Sequence, residues 1–154
     1  MNLTARSIRG SLIIAAVVVL VDQLTKHWAL TALADGRQID VIWTLRFNLA
    51  FNRGMAFSQG DWFGPAIPIL AIVVSLVFLR AVKRSPSRQF AGAVGLVIGG
   101  SLANVVDRLF RNDGWLTGAV VDFIDLQWWP IFNIADMAIV VGGASLLWLT
   151  LRAP

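Results

Sequence analysis

The chain contains no cysteine, which excludes disulfides, thiol nucleophiles and thiolate metal sites. Its one histidine, His27, cannot supply a multi-histidine metal centre within a single copy. Glutamate is absent too: all nine acids are aspartates, namely Asp22, Asp35, Asp40, Asp61, Asp107, Asp113, Asp122, Asp125 and Asp136. Charge of either sign is scarce, at 14% of residues against about a quarter in a soluble domain. Apolar residues take up the difference. Of 154 residues 57% are hydrophobic, with a mean hydropathy of +0.72, so the chain needs a solvent other than water. The net charge of +4 does not mark a nucleic-acid partner, because the basic residues are scattered among hydrophobic runs. The length suits one domain.

Crossing a bilayer as a helix takes about 20 mostly apolar residues, and four windows qualify: 11–30, 63–82, 90–110 and 131–151. The first begins like a secretory signal, with Arg6 and Arg9 ahead of an apolar run and Ala32-Leu33-Ala34 as a cleavage-like site. Asp22, Lys26 and His27 interrupt that pattern and three more apolar segments follow, so it is expected to persist as a span. Short-loop lysine and arginine set orientation. Arg6, Arg9, Arg80, Lys83, Arg84, Arg88 and Arg152 fall on one side, which holds no acid, and all nine aspartates fall toward the other. Both termini are therefore expected in the cytoplasm. Trp28, Trp62, Trp115, Trp128 and Trp129 flank the outer helix ends, as an interfacial belt does.

The outer loop, about 37–60, is expected to be β-rich. Ile39, Val41, Trp43, Leu45, Phe47, Leu49 and Phe51 alternate with mostly polar neighbours, the period of a strand with one apolar face. That face would rest on the outer leaflet or pack over the helix bundle. Asn52-Arg53-Gly54 reads as a turn. The expected fold is thus an all-α integral membrane protein, a single domain over 1–154 with four transmembrane helices. A small extracytoplasmic amphipathic β-sheet lies between helices one and two.

In this topology Asp22, Asp107, Asp122 and Asp136 share a depth in the outer leaflet, where a charge is costly and an acid is a functional-site hypothesis by default. Asp107 has Arg108 and Arg111 nearby and Asp22 has Lys26 at i+4, spacings that suit structural ion pairs. Lys26 could instead snorkel to the interface. His27 reads as interfacial, and Asp35, Asp40, Asp61 and Asp113 as solvated. Asp122 and Asp136 have no lysine or arginine within four residues. Asn133 precedes Asp136 by three residues, as Asn104 precedes Asp107, and can hold its carboxylate by a hydrogen bond. Asp125 competes with Asp122, but in an extended segment only one of the two can face the site. Two carboxyls brought together in an apolar setting share a proton. The charged one takes a proton from water while the neutral one donates to the carbonyl under attack, with neither metal nor cofactor. Three rivals stand beside this aspartic-peptidase chemistry. One is a proton relay or transporter, and one is a serine–lysine hydrolase with Lys26 as base and Ser58 or Ser101 as nucleophile. The third is a purely structural bundle.

Five blocks then carry a family resemblance: Asp22-Gln23-Leu24-Thr25-Lys26, Asn52-Arg53-Gly54-Met55-Ala56-Phe57-Ser58, the run from Gly99 through Asn104 to Asp107 and Arg108, Val120-Val121-Asp122-Phe123-Ile124, and Phe132-Asn133-Ile134-Ala135-Asp136. In this order, across nearly the whole chain, they resemble bacterial lipoprotein signal peptidase (signal peptidase II). The resemblance implies cleavage of prolipoproteins before a diacylglyceryl-modified cysteine, in the bacterial inner membrane, with Asp122 and Asp136 catalytic. It implies supporting or substrate-binding roles for Asp22, Lys26, Asn52, Gly54, Asn104, Asp107, Arg108 and Asn133. It also implies inhibition by globomycin, contact with membrane lipid, no nucleic-acid partner and a monomer. The chain departs from the family at Ala103, where glycine is expected, and in the short segment 125–130.

Overall fold

The computed structural model describes residues 3–53, 66–84, 87–111 and 118–152. Its first helix, α1 (Leu3–Ala32), is a 30-residue run of mostly leucine, isoleucine, valine and alanine with no proline. It ends at a 3-10 turn, Ala34–Gly36, where Asp35 and Gly36 take positive φ of 60° and 74° and redirect the chain. Two strands follow, β1 (Gln38–Ile42) and β2 (Leu45–Asn52), then α2 (Ala66–Arg84), α3 (Arg88–Phe110), β3 (Val120–Asp125) and α4 (Ile134–Leu151). Ser87 caps α3 by accepting from the Phe90 N–H, and Asn133 caps α4 in a reciprocal capping box with Asp136.

Four α-helices are present among the described residues; α1 starts at Leu3, well ahead of the expected residue 11, and the other ends lie within about three positions of the expected windows. Three of them, α1 over Thr4–Ala32, α3 and α4, are long and apolar enough to cross a membrane. Their exposed side chains say the same. Leu12, Ile13, Val17, Leu20 and Leu24 on α1, and Met137, Val140, Val141 and Leu147 on α4, face outward, a continuous apolar surface that water would not tolerate. Ile69, Leu70, Val73, Leu76 and Val77 do so on α2. The chain is an integral membrane protein.

Helix α3 is the central post, with Val94, Val97 and Ile98 in a core shared with Ala15, Val82 and Leu146. Small residues let the backbones close on it. A Cβ at Gly99 would lie 2.8 Å from the Ala15 carbonyl oxygen of α1, and one at Gly100 would clash with the Ala135 carbonyl oxygen of α4.

The sheet differs from expectation in two respects. The alternating stretch is two antiparallel strands rather than one, reversing at Trp43-Thr44 with Trp43 at φ 52°. Cross-strand partners such as Ile39 and Phe47, or Asp40 and Arg46, have the same parity, but an irregularity between Asp40 and Ile42 pairs Ile42 with Leu45 next to the turn. Moreover, the sheet is not confined to the chain between α1 and α2. It has three antiparallel strands in the order β1-β2-β3, and β3 comes from between α3 and α4. The apolar face is also divided: Ile39, Phe47 and Leu49 pack on Ala29, Leu33 and Phe123, whereas Val41, Trp43 and Phe51 are exposed. Phe47 stands edge-on to Trp28, with centroids 5.1 Å apart, so it belongs to the joint between sheet and helix rather than to a free cover. The α1–sheet joint and the α3–α4 contact together fix where β3 and the start of α4 meet.

Candidate active site

The site is built on a buried ammonium. Lys26 is fully buried, and its Nζ donates to Asp22 Oδ2 at 2.7 Å, Asp107 Oδ2 at 2.8 Å and Asn104 Oδ1 at 2.9 Å. An ammonium has three donors, and all three are used. Snorkelling is therefore not its role. A charge in this setting persists only when paired and hydrogen-bonded, which the two carboxylates provide.

Those carboxylates in turn hold backbone. Asp22 Oδ1 accepts the Ala135 N–H at 2.9 Å, and Asp107 Oδ2 accepts the Val121 N–H at 3.1 Å. Ala135 directly precedes Asp136, and Val121 directly precedes Asp122. Each candidate catalytic aspartate thus follows a residue clamped by a buried acid, and Lys26 bridges the two clamps. Asp107 is further fixed by Arg111 Nε at 2.6 Å and Gln23 Nε2 at 2.9 Å.

Two asparagines then reach the dyad. Asn133 Nδ2 donates to Asp122 Oδ1 at 2.6 Å, while its backbone N–H donates to Asp136 Oδ2 at 3.2 Å. Asn104 Nδ2 donates to Asp136 Oδ1 at 2.9 Å. Asn52 also hydrogen-bonds Asp122. Burial, and next the charge of Asp136, push the Asp122 carboxyl up to about 7, against the opposing hydrogen bonds of Asn133 and Asn52 and the charge of Lys26. A carboxyl poised there can hold or release a proton at neutral pH.

Asp136 borders two cavities. One, of about 210 Å³, is lined by Asn52, Ala71, Ser101, Asn104, Val105, Arg108, Val120 and Ile139 as well. The other is an apolar groove of about 500 Å³ along Trp128, Trp129, Phe132, Met137, Val140 and Val141. The smaller one takes in Asn52, Asn104 and Arg108 beside Asp136, among apolar neighbours, and the larger opens on the apolar face of α4. Among the described residues no cluster of acids and histidine could hold a metal ion.

The sequence-derived site residues converge, with adjustments. Asp22, Lys26, Asn104, Asp107, Asn133, Asp122 and Asp136 form one hydrogen-bonded network, joined by Asn52 at Asp122, and Arg108 lies on the smaller cavity. Gly54 and Ser58 lie outside the described residues. Asp136 is the third residue of α4 rather than five residues inside it, because the helix starts at its asparagine cap. Asn133 holds Asp136 through its backbone and gives its side chain to Asp122. The ion-pair partners of Asp107 are Lys26 and Arg111. Asp125 points away from the dyad. It pairs with Arg46 Nε at 2.7 Å and Asn48 Nδ2 at 3.1 Å, which hold it below the usual carboxylate range against the burial that would raise it. Ser101 lines the smaller cavity with Asp136, yet Lys26 spends its donors on Asp22, Asp107 and Asn104, which removes the base that a serine–lysine pair needs.

Sequence reasoning gave no role to Gln23 or Gln127. Gln23 joins Asp107 to Arg111, accepting from Arg111 Nη2 at 3.2 Å, and its place beside Asp22 was the only signal. Gln127, at φ 68°, closes the short 125–130 segment: its N–H donates to Asp125 Oδ1 at 2.7 Å and its Nε2 to the Thr44 carbonyl at 3.0 Å. The segment folds back tightly enough for Phe132 to pair with Ile124. At the other departure, Ala103 is fully buried and its carbonyl accepts from Gln23 Nε2 at 3.3 Å.

Comparison with known proteins gives a consistent match. Residues 14–152 fit the family model described as signal peptidase (SPase) II. A lipoprotein signal peptidase of Mycolicibacterium smegmatis is 40% identical over 143 residues, 92% of this chain and 60% of its own length. One of Mycobacterium leprae is 37% identical over 150 residues, 97% of this chain and 75% of its own. Against the first of these relatives the chain spans less than two thirds of the full length. Two solved structures of bacterial membrane enzymes, obtained in meso, superpose with TM-scores of 0.81 and 0.79 at 29% and 28% identity. They match 92% and 94% of this chain and 87% and 94% of their own.

Proposed function

Because the chain belongs to the signal peptidase II family of peptidases, we propose that it is an aspartic endopeptidase working within the bilayer. It removes the signal peptide from prolipoproteins on the N-terminal side of a diacylglyceryl-modified cysteine. The observation that carries this reading is that one asparagine-held network joins Asp122 to Asp136, and that Asp136 borders a cavity taking in Asn52, Asn104 and Arg108 and an apolar groove. The protein lies in the bacterial cytoplasmic membrane with four spans, α2 being the fourth, and with both ends on the cytoplasmic side, as the asymmetry of lysine and arginine supports. The dyad then faces the outer leaflet, where a lipid-modified substrate is held by its acyl chains.

The chemistry needs only this chain's residues and water. One carboxylate removes a proton from water as its oxygen attacks the scissile carbonyl, and the partner carboxyl gives its proton to the carbonyl oxygen. The resulting gem-diol collapses as the C–N bond breaks. The first carboxyl passes its proton to the leaving nitrogen, and a diol hydroxyl returns one to the second. Asp22, Lys26, Asn104, Asp107 and Asn133 hold the pair in register, Asn52 and Arg108 line the cavity beside Asp136, and the family resemblance gives Gly54 a supporting role. A globomycin-type inhibitor would occupy this site. The unit that works is the monomer in lipid, with no nucleic-acid partner.

Mass analysis of products tests the reading. Incubation with a diacylglyceryl-modified prolipoprotein should yield a product that begins at the lipidated cysteine, and the unlipidated precursor should stay intact. Cleavage elsewhere, or equal cleavage of both forms, contradicts it.

A further inference from the structure

We propose that the cleft between α3 and α4, at the ends of these helices farthest from the dyad, binds one anionic phospholipid. Arg152 holds its phosphate, and an acyl chain lies between the two helices. The site stands apart from the peptidase chemistry and needs only that α3 and α4 cross the bilayer, for which both are long and apolar enough.

A cavity of about 500 Å³ opens there. Its α3 wall is Gln89, Ala93 and Leu96, and its α4 wall includes Trp148, Leu149 and Arg152. Spacings of three and four residues put each set on one helix face. The lining is graded with depth. Arg152 is the C-cap of α4 and Gln89 the second residue of α3, so both stand at the membrane surface. Leu96 lies two helical turns further along α3, about 10 Å deeper, with Ala93 and Leu149 between. Polar groups at the surface and apolar ones at acyl depth match a phospholipid from end to end. The groove beside Asp136 is built otherwise: its one charged residue is that aspartate, which repels an anion.

Charge selects the lipid. The Arg152 guanidinium lies over the Trp148 ring, 4.1 Å from its centroid. The stack holds the guanidinium flat and leaves its N–H edge for two oxygens of a phosphate. Arg152 has no ion-pair partner among the described residues. Ser145, on the same wall, gives its hydroxyl to the Val141 carbonyl at 2.7 Å, so the headgroup falls to Arg152 and Gln89. Because α3 begins and α4 ends at this surface, their dipoles oppose and the guanidinium sets the sign. Arg6, Arg9, Arg80, Lys83 and Arg88 stand toward the same surface, which holds no aspartate. A zwitterionic lipid would bring its ammonium among these cations with no acid to receive it, whereas an anionic lipid brings none. Basic pockets between membrane helices are where anionic headgroups bind.

The test titrates the full chain, delipidated in an uncharged detergent, with phosphatidylglycerol or phosphatidylcholine and reads its melting temperature. Phosphatidylglycerol should raise it, as a ligand of the folded state does, and phosphatidylcholine should not. In Arg152→Gln the lipid concentration for half the shift should rise about tenfold, the value of a charge-assisted contact. Arg80→Gln removes the same charge from an exposed position on α2, outside the cleft, and should change it by no more than about twofold. Equal losses in the two variants would show general attraction to a basic surface and overturn the site. Equal protection by both lipids, or by neither, would do the same. Inorganic phosphate should not protect, and protection matching that of the lipid would overturn the acyl part of the assignment. Should Arg152→Gln fold poorly, the wild type decides. Phosphatidylglycerol with a photoreactive acyl chain should label residues 93–96 and 145–149, and labelling confined to other segments overturns the proposal. Prolipoprotein cleavage is a separate readout, so loss of the lipid site would leave the peptidase reading standing.

Discussion

Asn133 Nδ2 stands 2.6 Å from Asp122 Oδ1, although Asn133 is the cap of α4 and Asp122 belongs to β3. One residue therefore ends a helix and sets the spacing of the dyad, because its backbone N–H also holds Asp136. Asn133→Ala removes both a cap and a charge-assisted donor. Thermal unfolding in detergent should show a loss of about 1 kcal/mol from the cap. Cleavage should fall by on the order of 10- to 100-fold, the value of a hydrogen bond to a charged group. A variant that melts early but cleaves at the wild-type rate would separate the cap from the chemistry and contradict this account.

Lys26→Met leaves Asp22 and Asp107 buried without their shared cation. Breaking a buried pair in this way costs roughly 3–5 kcal/mol, so the variant should be strongly destabilised and inactive. Adding Asp22→Asn and Asp107→Asn should recover much of the stability, since uncharged groups no longer need the cation. Activity should stay low, because Asn104 is no longer oriented. Denaturation and cleavage assays on both variants check the two halves separately.

Asp122 carries a cost in stability. Its carboxyl is raised from 3.8 to about 7 on folding, so between these values the folded state binds the proton that the unfolded state has released. Stability then falls as pH rises through that window. Asp122→Asn removes the titration. Its melting temperature should exceed the wild-type value by a margin that grows from about pH 4 to pH 7 and is level above. Melting curves across pH 4–8 would contradict this if the margin is flat throughout.

Gly100→Ala drives a methyl into the Ala135 carbonyl oxygen, next to Asp136. The helices must separate there, so both melting temperature and activity should drop. Gly143→Ala, where a Cβ meets nothing within 4 Å, should be neutral or slightly stabilising, as alanine is the better helix former. Equal behaviour of the two variants would show that the α3–α4 contact is looser than described.

The helices were legible because lipid leaves apolar backbone few options, and the pairing of Asp22 with Lys26 because i+4 neighbours share a helix face. The reversal at Trp43 was not, since the apolar odd positions run on across it, the register shift between Asp40 and Ile42 leaves no residue signature, and neither Trp43 nor Thr44 is a turn former. Asp122 and Asp136 stood out by having no nearby cation in sequence. The linkage of Val121 to Asp107 and of Ala135 to Asp22 could not be read, because a backbone N–H carries no residue signature and its partner lies far along the chain. Lys26 looked like one member of a single ion pair. Only the packing of α1 on α3 shows that it joins two.

The most direct test compares cleavage of a diacylglyceryl-modified prolipoprotein by wild type, Asp122→Asn and Asp136→Asn, each shown to be folded by its melting curve. The account predicts that wild type cuts before the lipidated cysteine and that both variants lose at least about 10³-fold, since each removes a group that moves a proton in the reaction. Substantial activity in either folded variant would contradict an aspartate dyad.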